Sequence, residues 1–137
     1  MIKHFSLFLL TFLCAGLLFA QEIKITHGPY LQAVDKNEAT IVWTTDKDAV
    51  SWVEVAPAGD DSFYAQERPQ YFQTSNGNKV VGKLHKIRIT GLTEGTRYRY
   101  RVFSKEVLNY EGHRILYGNI ASTNVYSKKP LQFKPLD

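Results

Sequence analysis

From Thr96 to Lys105 apolar and polar side chains change places at every residue: Tyr98, Tyr100 and Val102 fall on one side, Arg97, Arg99 and Arg101 on the other. Successive side chains of a strand point to opposite faces, so a two-residue period calls for extended backbone with one face buried. The period recurs where Ala39, Ile41 and Trp43 oppose Thr40, Val42 and Thr44. It recurs again in Val53 and Val55 against Trp52 and Glu54, and in His85, Ile87 and Ile89 against Lys86 and Arg88. Beyond the first twenty residues, no stretch of ten or more sustains a helical period. Polar turns separate the runs: Asp35-Lys36-Asn37, residues 45–48, Ala58-Gly59-Asp60-Asp61, residues 91–95 and residues 109–112. Ser75-Asn76-Gly77-Asn78 is the strongest hairpin signal, because Asn-Gly tolerates the positive φ of a tight turn. Residues 63–74 read as one or two short edge strands, a setting that suits Pro69. Residues 115–126 read as a last strand pair or one long bent strand. About seven or eight antiparallel strands with turns every ~8–12 residues predict an all-β sandwich of immunoglobulin or fibronectin type III kind.

The chain has 137 residues, enough for one domain, and 44% of them are hydrophobic, enough for a packed core. Residues 1–20 read as a signal peptide: Lys3 starts it, an apolar run from Phe5 to Leu18 follows, and Ala20 precedes the expected cut. That run is shorter than the ~20 residues a bilayer requires. The expectation is therefore a secreted or periplasmic product with no membrane span after cleavage. The single cysteine, Cys14, lies inside the leader, so the remaining chain has no disulfide and no thiolate ligand. A net charge of +4, with no basic block or arm, argues against a nucleic-acid partner.

Gly91-Leu92-Thr93-Glu94-Gly95-Thr96-Arg97-Tyr98 resembles the corner of fibronectin type III domains, in which a tyrosine buries its ring and returns its hydroxyl to nearby backbone. A wider resemblance joins it. Gly28-Pro29-Tyr30-Leu31-Gln32, Ala39-Thr40-Ile41-Val42-Trp43-Thr44-Thr45, and His85 with Ile87, Ile89, Gly91-Leu92, Gly95-Thr96 and Tyr98-x-Tyr100 resemble, in order, the N-terminal domain of purple acid phosphatases. Residues 21–127 would form that domain. Residues 128–137 resemble the linker toward a catalytic domain absent from this chain. The resemblance implies an accessory role beside a metallophosphoesterase catalytic domain, which would own the dinuclear metal centre. Its Asp-x-His and Gly-Asn-His motifs do not occur here, and the Gly-Asp at Gly59-Asp60 stands in a polar loop without them, so the expectation is no catalytic residue, no metal ligand and no cofactor in this chain.

His27, His85 and His113 show no close metal-ligand spacing. His85, sharing a face with Ile87 and Ile89, is expected partly buried and hydrogen-bonded to backbone. Asp60-Asp61 reads as a solvated loop. The row Arg97, Arg99 and Arg101 is the candidate partner-facing surface, since three guanidinium groups on one strand face repel unless screened or paired. Trp52, expected to face outward, either adds an aromatic anchor there or packs beneath residues 63–72. The competing expectation is a free-standing adhesion or recognition module that binds protein or glycan.

Overall fold

The computed structural model describes residues 21–111, 114–124 and 130–137. The expected leader, His113 and Tyr126 lie outside the described residues. Among the described residues nine strands follow one another: β1 (Ile25–Gln32), β2 (Ala39–Pro57), β3 (Gln70–Phe72), β4 (Thr74–Ser75), β5 (Asn78–Lys79), β6 (Gly82–Ile89), β7 (Tyr98–Glu111), β8 (Arg114–Ser122) and β9 (Leu131–Phe133). Every pairing among them is antiparallel. One 3-10 turn, Phe63–Ala65, interrupts the β pattern.

The two runs expected on either side of a turn at residues 45–48 form a single 19-residue strand. Its first half pairs with β1 and β6, from Ala39↔Ile89 to Thr44↔Leu84. Its second half pairs with β7, from Ala49↔Glu106 to Pro57↔Tyr98, and with β3. Straight strand would separate Trp43 and Ser51 by about 26 Å. Instead both reach the same Ser104 hydroxyl, at 2.8 and 2.7 Å. β2 therefore bends at 45–48, where its pairing with β6 is irregular, and carries the chain from one layer into the other. The Thr45 hydroxyl bonds the Lys47 carbonyl at 2.8 Å and Asp46 bonds backbone at Lys24, so the bend keeps its polar groups satisfied.

Between the layers lie Ala39, Ile41 and Trp43 from one side and Val53, Val55, Tyr100 and Val102 from the other, with Ile87, Ile89, Leu92 and Phe133. Burying each large side chain contributes about 1.5–3 kcal/mol, so this set alone defines the stable register. A one-residue slip would turn it out to solvent. The tyrosine corner is present: the Tyr98 hydroxyl accepts from the Thr93 amide at 2.8 Å. The Asn76-Gly77 hairpin is present as well, with φ of 51° and 80°. Gly28 has φ 89°, and a Cβ there would stand 2.8 Å from the Val42 carbonyl oxygen, so only glycine lets β1 lie this close to β2.

Residues 130–137 depart from the expected linker. Leu131–Phe133 pairs with Tyr98–Tyr100, Phe133 enters the core, and Leu136 donates to the Asp35 carbonyl at 3.1 Å. The cause is apolar content: Leu131, Phe133 and Pro135 alternate with polar residues, and Phe133 meets the rings of Tyr98 and Tyr100 at 5.8 and 5.7 Å.

Candidate functional site

The face of β2 and β7 that points away from this core carries the expected arginine row, and the structure divides it. Toward the β7 start, Arg99 is 2% exposed. Its guanidinium donates to the Pro57 carbonyl at 2.9 Å, the Asp61 carbonyl at 2.6 Å and the Asp61 carboxylate at 3.1 Å. Arg101 donates to the Thr123 carbonyl at 2.6 Å, to Ser122 Oγ at 2.9 Å and to the Tyr64 hydroxyl. Glu54, also buried, meets Arg68 at 3.4 Å, and Arg68 returns to the Tyr64 and Gln66 carbonyls. Phe63 seals this half with its ring buried. The expected exposed row of three is thus corrected. Arg97 precedes β7 and is exposed, Arg99 is internal, and Arg101 is half covered. The loop 58–68 supplies its own acceptors to the row, which is how like charges sit side by side without repulsion deciding the outcome. Asp61, read beforehand as solvated, is held below the ordinary carboxylate range chiefly by the Gln66 hydrogen bond, with opposing desolvation next and the Arg99 charge adding to the lowering.

Further along the same face the loop stops. Register places Phe72, Trp52 and Phe103 on one rung across β3, β2 and β7. Trp52 stacks on Phe103 at 5.0 Å and meets Phe72 at 5.7 Å. Val50, Trp52, Gln70, Phe72, Lys79, Lys105 and Tyr117 line a shallow cleft of about 200 Å³. Lys79 stands 4.7 Å above the Phe72 ring and Lys105 4.4 Å above the Tyr117 ring.

A second polar cluster lies between the layers. The Trp43 indole donates to Ser104 Oγ at 2.8 Å; Ser104 meets Ser51 at 2.7 Å; Ser51 meets His85 Nδ1 at 2.8 Å; His85 Nε2 meets Thr45 Oγ1 at 2.8 Å. Chemistry fixes every proton. An indole N–H only donates and a carbonyl only accepts. Thr45 gives its proton to Lys47, so His85 Nε2 must carry one and Nδ1 must accept from Ser51. Ser51 in turn accepts from Ser104, which accepts from Trp43. The chain of donors runs one way from indole to ring. A second proton on His85 would reverse Ser51 and strip the Ser104 hydroxyl hydrogen of its acceptor, and burial alone already lowers the His85 pKa to about 4. The expected backbone partner for His85 is corrected to two side-chain hydroxyls, on a histidine with no exposed surface.

His27 is exposed on β1 opposite Thr44, beside the Trp43↔His85 pair, but β2 lies between the two histidines and His85 is fully buried. Among the described residues no three His, Cys, Asp or Glu side chains converge to hold a metal. The dinuclear centre implied by the resemblance finds no ligand set in them. No helix among them is long and apolar enough to cross a membrane.

The family model described as purple acid phosphatase, N-terminal domain, matches residues 27–127. The chain belongs to this family. The match covers β1 through β8 and ends before β9, so the purple acid phosphatase N-terminal domain seen here has an additional closing strand beyond the matched residues. No curated protein gives a significant match to the chain. The matched family is that of a non-catalytic N-terminal domain.

Proposed function

We propose that the chain serves as the non-catalytic accessory domain of an exported metallophosphoesterase, packing on a catalytic domain and stiffening it. The family match over residues 27–127 is the observation that carries this reading. The path of the C-terminal residues supports it. Phe133 is anchored in the core and Leu136 is tied to Asp35, while Asp137 packs beside Gly95. Chain continuing past Asp137 would leave from beside the corner formed by residues 91–95. The loop-sealed arginines give that end of the sheet a rigid edge on which to seat it.

Reading the gene beyond codon 137 tests this. The expected result is an in-frame continuation with Asp-x-His, Gly-Asp and Gly-Asn-His motifs, or a neighbouring gene encoding them. Joining that product to this chain should raise its resistance to thermal inactivation. Unrelated sequence downstream, together with no metallophosphoesterase co-purifying with the chain, would overturn the proposal.

A further inference from the structure

The open half of the outer sheet face has a composition that the sealed half lacks. Five ion pairs occur among the described residues, and none includes Lys79 or Lys105. No carboxylate lines the cleft between them. Each ammonium is held only by the face of a ring, a contact worth about 0.5–1 kcal/mol at an exposed site, which leaves its charge unneutralised.

The geometry is that of a slot. Phe72 on β3 and Tyr117 on β8 are three strands apart across the sheet, with Tyr117 set farther along β7, opposite Val107 and not Phe103. Val50 and Trp52 on β2 form the floor between them. The floor is rigid, because Trp52 is fixed by its stack on Phe103 and by ladder pairing on both sides. Three kinds of contact are therefore offered together. Val50 and the outer rims of the Trp52 and Phe72 rings suit C–H surfaces, the Gln70 amide and Tyr117 phenol suit hydroxyls, and two ammoniums without a carboxylate partner suit an acid group. A ligand carrying all three features is an acidic sugar. A polypeptide would in addition look for an unpaired strand edge, and this slot lies on a sheet face.

We infer that the cleft between Phe72 and Tyr117 binds an acidic polysaccharide, one charged sugar ring resting on Trp52 with its acid group between Lys79 and Lys105. This goes beyond the accessory role and does not depend on it.

The test is a tryptophan-fluorescence titration of the whole chain at low salt, with polygalacturonate, dextran sulfate, neutral dextran and polyaspartate as probes. Trp43 is sealed from solvent, so the signal reports Trp52. Saturable change is expected with polygalacturonate or dextran sulfate and none with neutral dextran. The paired substitution Lys79→Gln with Lys105→Gln should weaken binding at least about tenfold, a loss of about 1.4 kcal/mol. Lys83→Gln with Lys86→Gln, on exposed positions of β6, removes the same charge and should leave binding unchanged. Phe72→Ala, checked for an unaltered unfolding midpoint, should also weaken it. No saturable binding to either acidic polysaccharide would overturn the inference. Equal binding of polyaspartate, or equal loss in the β6 pair, would do the same by assigning the effect to net charge.

Discussion

Two halves of one sheet face, built on the same pair of strands, are finished in opposite ways. From Glu54 and Arg101 toward Pro57 and Tyr98, the loop 58–68 folds over β2 and β7, and Glu54, Arg99 and Arg101 are each matched within the chain. From Trp52 and Phe103 toward Val50 and Lys105, the loop does not reach; Arg101 closes the ring stack at Phe103, and Lys79 and Lys105 meet only ring faces. The difference teaches that basic residues in a row are poor guides to a docking surface, because a guanidinium has enough donors to be consumed by carbonyls close at hand. Lysine offers fewer and more mobile contacts, and the lysines are the ones left available.

The largest expected effect tests the sealed half. Arg99→Ala removes three hydrogen bonds and leaves the Pro57 and Asp61 carbonyls unpaired, so a loss of about 3–5 kcal/mol is expected in urea unfolding. A loss below ~1 kcal/mol would mean the two halves are not different after all.

The next concerns the buried chain of hydroxyls that underlies both. His85 is neutral when folded, with a pKa of about 4 against an ordinary 6.5. The unfolded chain binds the extra proton first, so this contribution is intact above pH 6.5. It declines as pH falls from 6.5 and is fully lost below about 4, amounting to about 3 kcal/mol. Comparing pH-dependent stability of the chain with that of His85→Leu isolates it: the difference between their slopes should be confined to that window and should vanish above pH 7.

Much of this was open to inspection in the sequence, and the reason is range. The alternation of Tyr98, Tyr100 and Val102, the Asn76-Gly77 hairpin and the Tyr98 corner are all decided by residues within a few positions of one another. The partners of His85 are 34 and 40 residues away, and no local pattern announces them. The same holds for Arg99. A two-residue period says that it points away from the Tyr100 side, but not that residues 58–68, which have no period, come back to cover it. The bend at 45–48 was hidden for another reason: its polar residues satisfy the usual signs of a turn while the backbone stays extended. The slot was half visible, since Trp52 was expected outward, but its lysines and Tyr117 come from strands that only the register brings together.

Phe63→Ala offers a smaller change that would convert one half toward the other. Uncovering Ala56 and Arg99 should cost about 2–3 kcal/mol, below the usual range for a deep core phenylalanine because a loop can settle. It should also speed proteolytic cutting between residues 58 and 68. Smallest of all, Lys105→Gln should shift the unfolding free energy by no more than about 0.5 kcal/mol, which separates a residue kept for contact with something else from one kept for folding.

Because β2 passes through both layers without a break, the two cannot come apart as independent leaves. Slippage at Thr44 would drag Ala49 and with it the whole β7 ladder. Amide protons on β6 and on β7 should then exchange with a common opening energy, and a pull applied along the chain would meet one abrupt yield instead of two successive ones.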